Sequence, residues 1–246
     1  MNYYVYIVLL IGSLVSCSES SRHFSRYEDF PDEKALNAQV IHLDTALFRY
    51  PFRVHVQGDK VVVMDLHATE YFFHAFRYPD FQYLTSFGKR GDAPEEILSA
   101  ENFRWNGQFL WTLDSNKSEL TRFGFASSSD SLLSLEVVSL DEELLRALDF
   151  VQYDDSTFII PDYSGDSRFC LVSRQGKLLR KVGNIPTTNE DALESARPAL
   201  AQAWRSFIDY NPHNGILVAA TQLGEVLEIY NDNLKLLRDI YFFMLC

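Results

Sequence analysis

The sequence has few cysteines, no cluster of basic residues and no apolar run long enough to cross a bilayer. Its three cysteines among 246 residues include no Cys-x-x-Cys pair, which excludes the common spacing of structural zinc sites. The chain has 22 Lys and Arg against 34 Asp and Glu, a formal charge of −12. An acidic chain without a basic patch is not expected to bind nucleic acid or anionic headgroups.

What is abundant is apolar and aromatic residues. Hydrophobic residues make up 47% of the chain and aromatic residues 14%, enough for one sizeable core or two small ones. A chain of this composition is not disordered.

The N-terminus has the pattern of a bacterial lipoprotein signal peptide. An apolar run from Val5 to Val15 ends in Leu14-Val15-Ser16-Cys17. A run of about 11 residues suits a signal-peptide core and is shorter than the ~20 needed for a membrane-spanning helix. We therefore predict that residues 1–16 are removed and that Cys17 carries a lipid, although a plain secretory signal and a buried strand are alternatives.

Downstream of Cys17 the chain divides into two parts. Residues 17–38 are polar and lack periodicity, which is typical of a flexible tether. Residues 39–246 are predicted to form the folded domain. Within it, Cys170 lies in the apolar segment Phe169–Val172, which favours a buried strand thiol over a disulfide with Cys246.

The folded part repeats one unit of turn, apolar strand, turn and two further strands. Four copies of the apolar strand end at positions 65, 114, 162 and 221, so the intervals are 49, 48 and 59 residues. These intervals are close to the ~40–50 residues of propeller blades. Asn-Gly, Asp-rich and Gly-containing turns between the strands favour antiparallel hairpins. The strands predicted after the apolar one are Glu70–Phe76, Phe81–Phe87, Leu120–Phe125, Arg168–Ser173, Lys177–Val182, Val226–Tyr230 and Leu234–Ile240.

Two segments are predicted to be helical. Asp141–Phe150 places Leu144, Leu145 and Leu148 on one side, and Asn189–Arg197 stops before Pro198. The second of these accounts for the longer last interval.

Repeated carboxylates and neighbouring histidines are the candidates for chemistry. Asp65, Asp114 and Asp162 end successive apolar strands, and Thr221 replaces them in the fourth copy. We interpret these aspartates as acceptors of backbone N–H bonds, because an Asp at a strand end usually has that role. The histidines at 55, 67 and 74 lack a short metal-ligand spacing, so no metal, cofactor or catalytic residue is predicted.

The segment Phe87-Gly88-Lys89-Arg90-Gly91-Asp92-Ala93-Pro94-Glu95-Glu96 is the most distinctive motif. Two glycines three residues apart permit a tight reversal, and Asp92–Glu95 has the pattern of a capped helix start. As a phosphate loop it fails, since no Gly-Lys-Ser/Thr follows.

With this motif the chain resembles the TolB-like six-bladed β-propeller lipoproteins of Gram-negative bacteria, which have an FGxxGxGPxE-like segment between their first blades. The matching residues are Phe87, Gly88, Gly91, Pro94 and Glu95, and Ala93 stands where the family usually has glycine. The resemblance covers the signal peptide and residues from Gln39 onward. It implies an all-β propeller of antiparallel four-stranded blades on the outer membrane, facing the periplasm or the surface, and it supplies no catalytic residues.

The length of the domain predicts about four blades at ~50 residues each, which makes it an incomplete six-bladed propeller. An N-terminal strand, Val40–Asp44, is predicted to complete a blade, and a truncated gene product is expected. A closed four-bladed propeller is the alternative.

For function, the sequence favours a lipid-anchored binding or scaffold module whose inter-blade loops contact a protein, glycan or peptide. One alternative is a propeller enzyme of the lactonase, lyase or cyclase type with acids and histidines at the axial mouth. The other is a non-functional fragment.

Overall fold

The computed structural model of the protein describes residues 32, 34–43, 48–127, 130–185, 187, 190–223 and 226–241. The predicted signal peptide, Cys17 and most of the tether lie outside these residues, as does Cys246. The described helices include none that is both long and apolar enough to span a bilayer.

The described residues form four antiparallel sheets of four strands each, and the strands of every sheet follow one another in chain order. Blade 1 contains β1 (Pro51–Gln57), β2 (Lys60–Asp65), β3 (Tyr71–Arg77) and β4 (Gln82–Lys89). Blade 2 contains β5 (Ala100–Asn106), β6 (Phe109–Asp114), β7 (Glu119–Phe125) and β8 (Leu132–Ser139). Blade 3 contains β9 (Val151–Gln152), β10 (Thr157–Pro161), β11 (Phe169–Ser173) and β12 (Leu178–Val182). Blade 4 contains β13 (Ser206–Asn211), β14 (Ile216–Thr221), β15 (Val226–Tyr230) and β16 (Leu236–Tyr241).

Short hairpins connect the first two strands of a blade, as the turn residues predict. In blade 1, Gln57 pairs with Lys60, so the loop is the two residues Gly58 and Asp59. Gly58 has a φ of +60°, and two-residue hairpin loops favour residues that tolerate this left-handed conformation. Residues 106–109 of blade 2 repeat the arrangement, with Gly107 at a φ of +57°.

Blades 1 and 2 share a core of phenylalanines. The ring of Phe73 stacks on Phe87 at 5.1 Å and meets Phe103 edge-on at 5.5 Å, while Phe87 also contacts Phe123 at 5.1 Å. Each buried ring of this size contributes about 1.5–3 kcal/mol relative to an exposed one. The cluster therefore fixes the two sheets face to face.

Similar clusters join the next blades. Trp111 of blade 2 packs edge-on against Phe158 of blade 3 at 5.1 Å, and Phe169 of blade 3 meets Tyr230 of blade 4 at 5.0 Å. Blades 2 and 3 have apolar neighbours on both faces, so β6 is nearly continuously buried, and β2 is buried in the same way between blade 2 and the segment that includes Leu43 and Phe48.

The ring is completed at its centre by the first strands of blades 4 and 1. The guanidinium of Arg53 on β1 lies 5.1 Å from the ring centroid of Phe207 on β13. Among the described residues, the remaining buried cluster contains Val61, Val63 and Phe76 of blade 1, packed against the chain segment that includes Leu43 and Phe48. The fold is thus a four-bladed propeller, which confirms the predicted all-β class and blade count.

Both predicted helical segments differ from the structure. Asp141–Phe150 contains turns and no helix, so that prediction is wrong. The carboxylate of Asp141 accepts N–H bonds from Glu143 and Leu178, and Arg146 has a φ of +47°, which breaks helical geometry. Leu144 and Leu148 are nevertheless buried, Leu144 in the core between blades 2 and 3.

The second helical segment is present as two short helices, α1 (Glu190–Ser195) and α2 (Arg197–Ala203). The predicted stop before Pro198 is wrong, because α1 already ends at Ser195 and Pro198 stands in the first turn of α2. Proline is tolerated there because the first helical N–H groups have no intrahelical partner.

The predicted closing strand Val40–Asp44 is not formed where the structure describes it. Residues 40–43 belong to no strand, Val40 is 77% exposed, and Asp44 lies outside the described residues. Leu43 instead packs on the outer face of blade 1, so hydrophobic contact replaces the expected backbone pairing.

Candidate functional site

The axis of the propeller is lined by the first strands of the blades. Arg104 on β5 donates from Nη1 to Asp209 on β13 at 3.0 Å, which shows that these strands meet across the centre. We call the end near residues 52–53, 101 and 205–207 the first axial mouth. The end near residues 104–106, 152–155 and 209–212 is the second axial mouth.

Asp149 is the polar centre between the two mouths. It is 1% exposed, and its carboxylate accepts from Arg104 Nη2 at 3.2 Å, Phe150 N at 2.8 Å and Ile208 N at 2.9 Å, as well as from Asn102 Nδ2. These donors come from blades 2, 3 and 4. A buried carboxylate is tolerated only when its oxygens are satisfied in this way, so Asp149 holds the blades in register.

The second axial mouth opens into an aromatic cleft of about 210 Å³. Trp105, Tyr153 and Tyr210 line it, and the rings of Tyr153 and Tyr210 lie 5.3 Å apart. Two buried polar atoms of the lining have no hydrogen-bond partner among the residues that the structure describes, the indole Nε1 of Trp105 and Oε1 of Gln152. Aromatic surfaces with a few unpaired polar atoms are typical of recognition sites.

Carboxylates surround the aromatic cleft. Asp154, Asp155 and Asp209 all belong to its lining. Burial raises the pKa of Asp154, but hydrogen bonds from Ser156 and Thr157 outweigh this and leave the pKa below its ordinary value. The cleft is therefore acidic at neutral pH, with Arg104 paired to Asp209 at its inner side.

The first axial mouth contains a smaller cavity of about 30 Å³. Arg53, Arg205 and Tyr163 line it together with the carboxylates of Glu101 and Asp149. Burial lowers the pKa of Arg53, and burial together with Asp149 raises that of Tyr163, so the phenol is protonated at neutral pH.

The strand-end aspartates have the structural role that the sequence predicts. Asp65, Asp114 and Asp162 are 1%, 3% and 6% exposed. Asp65 accepts from the backbone N–H groups of Arg49 and Tyr50, both at 2.7 Å. Because each carboxylate is occupied by backbone N–H groups of its own blade or of the segment that leads into it, the three do not form a common site.

The other two aspartates and Thr221 follow the same rule. Asp114 accepts N–H bonds at 2.6–3.2 Å from Leu98, Ser99, Asn116 and Lys117, and Asp162 from Ser164 and Ser167. Thr221 uses its hydroxyl instead, accepting from Val226 N at 2.9 Å and donating to Val226 O at 3.1 Å.

The three histidines of blade 1 lie in different places. His55 faces the axis, His67 is in the turn after β2, and His74 on the outer face hydrogen-bonds Ser86 Oγ at 2.8 Å. Burial lowers the pKa of both His55 and His74. In the described ranges, no three His, Cys, Asp or Glu side chains are grouped as metal ligands.

Cys170 is a buried strand thiol, as its apolar neighbours predict. It is 1% exposed in β11, and burial raises its pKa to about 12. A thiol with such a pKa is not a nucleophile at neutral pH.

The glycines of the residue 87–96 motif permit close packing. Gly88 has a φ of +65°, and a Cβ there would lie 2.6 Å from the ring of Phe73. At Gly91 a Cβ would lie 1.9 Å from Oε2 of Glu96. Both positions therefore favour glycine.

The rest of the motif is a turn, so the predicted helix start at Asp92–Glu95 is wrong. Glu95 has a φ of +69°, which ends any helical geometry. The carboxylate of Glu96 accepts from Ala93 N at 3.1 Å and from Lys89 Nζ at 2.7 Å. Lys117 Nζ donates to the carbonyls of Ala93 and Glu96, both at 2.8 Å, which connects blade 1 to blade 2.

Sequence reasoning missed the axial residues. The run Phe52-Arg53-Val54-His55-Val56 alternates in the way of a strand, and this was the signal that could have placed Arg53 and His55 on the axis. No comparable signal marks Asp149, whose neighbours Leu148 and Phe150 suggest a core segment.

Four four-stranded antiparallel sheets around a common axis define the chain as a β-propeller protein. Residues 29–239 match the sequence profile of the family described as TolB-like 6-blade propeller-like. The chain belongs to this family, and four blades are present among its described residues. No curated protein matches the sequence significantly.

Solved structures are similar to the chain at low sequence identity. Hydrazine synthase of Kuenenia stuttgartiensis is 7% identical, with a TM-score of 0.50, and the match covers 84% of this chain and 52% of that one. Virginiamycin B lyase of Staphylococcus aureus is 11% identical, with a TM-score of 0.49 and coverage of 78% and 56%. A protein of Bacteroides fragilis described as exported is 9% identical, with a TM-score of 0.48 and coverage of 81% and 73%. The chain thus spans little more than half the length of two of these structures.

Proposed function

We propose that the protein is a binding or scaffold module of the bacterial cell envelope, anchored to the outer membrane by a lipid on Cys17. The observation that carries the binding role is the aromatic cleft at the second axial mouth. Trp and Tyr are the residues that contribute most at interface hot spots, because they bury large areas with few rotatable bonds. Unpaired polar atoms at Trp105 and Gln152 supply the hydrogen bonds that give specificity.

The charge of the aromatic cleft favours a protein or peptide partner with basic side chains. Asp154 and Asp155 stand at its rim, and a cationic group near Tyr153 or Tyr210 gains both ion pairing and cation–π contact. A polyanionic ligand would be repelled.

The partner site is tested by placing a photo-cross-linking amino acid at Tyr210 in the full-length protein and irradiating native cells. We expect an envelope protein to be captured. The matched control carries the same amino acid at Leu179, which is 55% exposed on blade 3 and away from the cleft. Equal capture at both positions, or none at Tyr210, contradicts the proposed site.

The charge argument has its own test. Asp154→Asn with Asp155→Asn should reduce capture at Tyr210, whereas Asp59→Asn in an exposed hairpin should not. A captured glycan in place of a protein would change the partner class and would not require the acidic rim.

The anchor is tested independently by the intact mass of the protein from the membrane fraction. A lipid-modified species that begins at Cys17, and its loss together with membrane release in Cys17→Ala, are the expected results. An unmodified chain that retains Met1 contradicts the lipoprotein.

One electrostatic feature favours the enzymatic alternative. His55 is half-buried at the axis, and its electrostatic environment includes Arg104 and Asp209. Burial and Arg104 lower its pKa, so its neutral imidazole could accept a proton. Turnover of a lactone that is abolished in His55→Gln would establish this alternative.

A further inference from the structure

We propose that Arg53 and Arg205 form a binding site for a carboxylate group at the first axial mouth, at the opposite end of the axis from the aromatic cleft. Both guanidinium groups line the same cavity of about 30 Å³. Neither side chain forms a hydrogen bond or an ion pair with a described residue, and the Nε atom of each is buried without a partner.

Two other arginines of the interior, unlike Arg53 and Arg205, are paired with carboxylates. Arg104 pairs with Asp149 and Asp209, and Arg168 with Glu228. Arg53 and Arg205 are only partly buried, but their unpaired Nε atoms are shielded from solvent, which has a free-energy cost because the lost hydration is not replaced. Arg53 obtains only ring contacts, at 5.4 Å from Phe52 and 5.1 Å from Phe207.

The two carboxylates in the same cavity partly offset the effect of burial on the pKa of Arg53, but neither forms a hydrogen bond or an ion pair with Arg53 or Arg205 among the described residues. Asp149 is occupied by its four donors from blades 2, 3 and 4. Glu101 Oε1 faces the hydroxyls of Ser99 and Ser115 at 3.5 and 3.3 Å. The Nη donors of Arg53 and Arg205 therefore remain available to an incoming anion.

The size and walls of the cavity define the ligand class. A volume of about 30 Å³ accommodates about two water-sized groups, which matches the two oxygens of a carboxylate. Arginine donors suit this planar group, since two parallel N–H bonds can reach its oxygens. Tyr163, a protonated phenol in the same cavity, is a further donor.

Apolar side chains flank the opening. Phe52 and Phe207 are 40% and 41% exposed and lie on either side of Arg53. The carboxylate is thus expected to belong to a molecule with an apolar body. Two sources share this chemistry, a small aliphatic acid and the C-terminus of a peptide that ends in an apolar residue.

The experiment is calorimetric titration of the full-length protein with hexanoate, with N-acetyl-Ala-Leu, and with the C-terminal amide of that peptide. We expect the acids to bind and the amide not to bind. Binding of the free-acid peptide alone identifies a chain terminus, binding of hexanoate alone identifies a small acid, and binding of both supports the site for either source. Failure of both acids to bind, or equal binding of the amide, overturns the proposal.

Variants locate the site. Arg53→Gln and Arg205→Gln should each weaken binding by about tenfold or more, since each removes charge-assisted hydrogen bonds. Arg180→Gln, at an exposed position of β12, is the matched control and should bind as the unaltered protein does. Equal affinities in Arg53→Gln and Arg180→Gln overturn the assignment.

Stability distinguishes a ligand site from a structural role. Because neither arginine forms a hydrogen bond or an ion pair with a described residue, their replacement should leave the thermal midpoint unchanged or higher, and hexanoate should raise the midpoint of the unaltered protein only. Arg53→Lys serves if the Gln variant does not fold, because it keeps the charge and loses the two-pronged geometry; undiminished binding in that variant overturns the paired-bond arrangement. An identical midpoint shift with chloride would mean a general ionic effect and would overturn the site.

Discussion

Arg168 of blade 3 and Glu228 of blade 4 form an ion pair that is closed off from solvent. Arg168 Nε donates to Glu228 Oε2 at 3.1 Å, and the two side chains are 3% and 1% exposed. Arg168 also donates to Trp204 O at 2.8 Å and to Ser206 Oγ at 2.9 Å, while Tyr230 donates to Glu228 Oε1 at 3.0 Å. Every polar atom of the pair is thereby engaged at the boundary of two blades.

Removing one member of this pair should be much more harmful than removing both. Arg168→Met leaves Glu228 as an uncompensated buried charge, for which we expect a loss of about 3–5 kcal/mol in the free energy of unfolding. The double variant Arg168→Met with Glu228→Leu should recover a large part of that loss, because apolar pairs of similar volume replace such ion pairs well. Urea denaturation of the two single variants and the double variant measures the coupling.

A suitable control is the exposed pair of Lys60 and Asp59, whose atoms are 3.4 Å apart. Asp59→Ala removes the pair at its 70% exposed member and should change stability little, since exposed ion pairs contribute about 0–1 kcal/mol. If the double variant of the buried pair is no more stable than Arg168→Met, the explanation by an uncompensated charge is wrong.

Substitutions of the strand-end residues should give a graded series of losses in the free energy of unfolding. Asp114→Ala leaves four N–H donors without an acceptor and should cost about 3 kcal/mol, whereas Thr221→Ala removes one accepted and one donated bond and should cost about 1 kcal/mol. Asp114→Asn keeps one acceptor oxygen and should be intermediate. Thermal or urea unfolding gives the order, with Asp59→Ala as an exposed control, and a cost for Asp114→Ala no larger than the control would contradict it.

This series also shows how far the sequence alone could lead. The repeated positions 65, 114, 162 and 221 predicted the blades, because a local turn needs an acceptor at each strand end. Val226–Tyr230 was predicted with the bounds of β15, since alternation and turn residues are local properties.

Contacts between residues far apart in the sequence could not be predicted from local patterns. Asp141 looked like a helix start, yet its carboxylate caps N–H groups as distant in sequence as Leu178. Arg53 and Arg205 come together only when the first and last described blades meet at the axis, 152 positions apart in the numbering of the chain. No pattern within the sequence of one blade predicts such a pair.

Gly176 is a further test of how the blades fit together. It has a φ of +83°, and a Cβ would lie 2.0 Å from the carbonyl oxygen of Ser139 in blade 2. Gly176→Ala should therefore cost more than the about 1–2 kcal/mol expected for the left-handed backbone alone. Gly58→Ala is the matched control, because its φ is +60° and nothing lies within 4 Å of the added Cβ. Equal losses of stability in the two variants would show that the close approach of blade 2 can relax.

His74 makes the stability of blade 1 dependent on pH. Burial lowers its pKa from the ordinary value of 6.5, against a smaller opposing effect of Asp65. Near and below pH 6.5 the unfolded chain therefore binds more protons at His74 than the folded one. The contribution of His74 to the free energy of unfolding is close to zero above about pH 6.5 and becomes unfavourable as the pH falls below that value. The urea midpoint of the unaltered protein should decrease between pH 7.5 and pH 5.5, and the decrease should be smaller in His74→Gln. His213→Gln, at an exposed turn, should keep the full decrease, which separates the histidine on the outer face of blade 1 from titration elsewhere. A decrease in His74→Gln as large as in His213→Gln would mean that protonation of His74 is not coupled to unfolding.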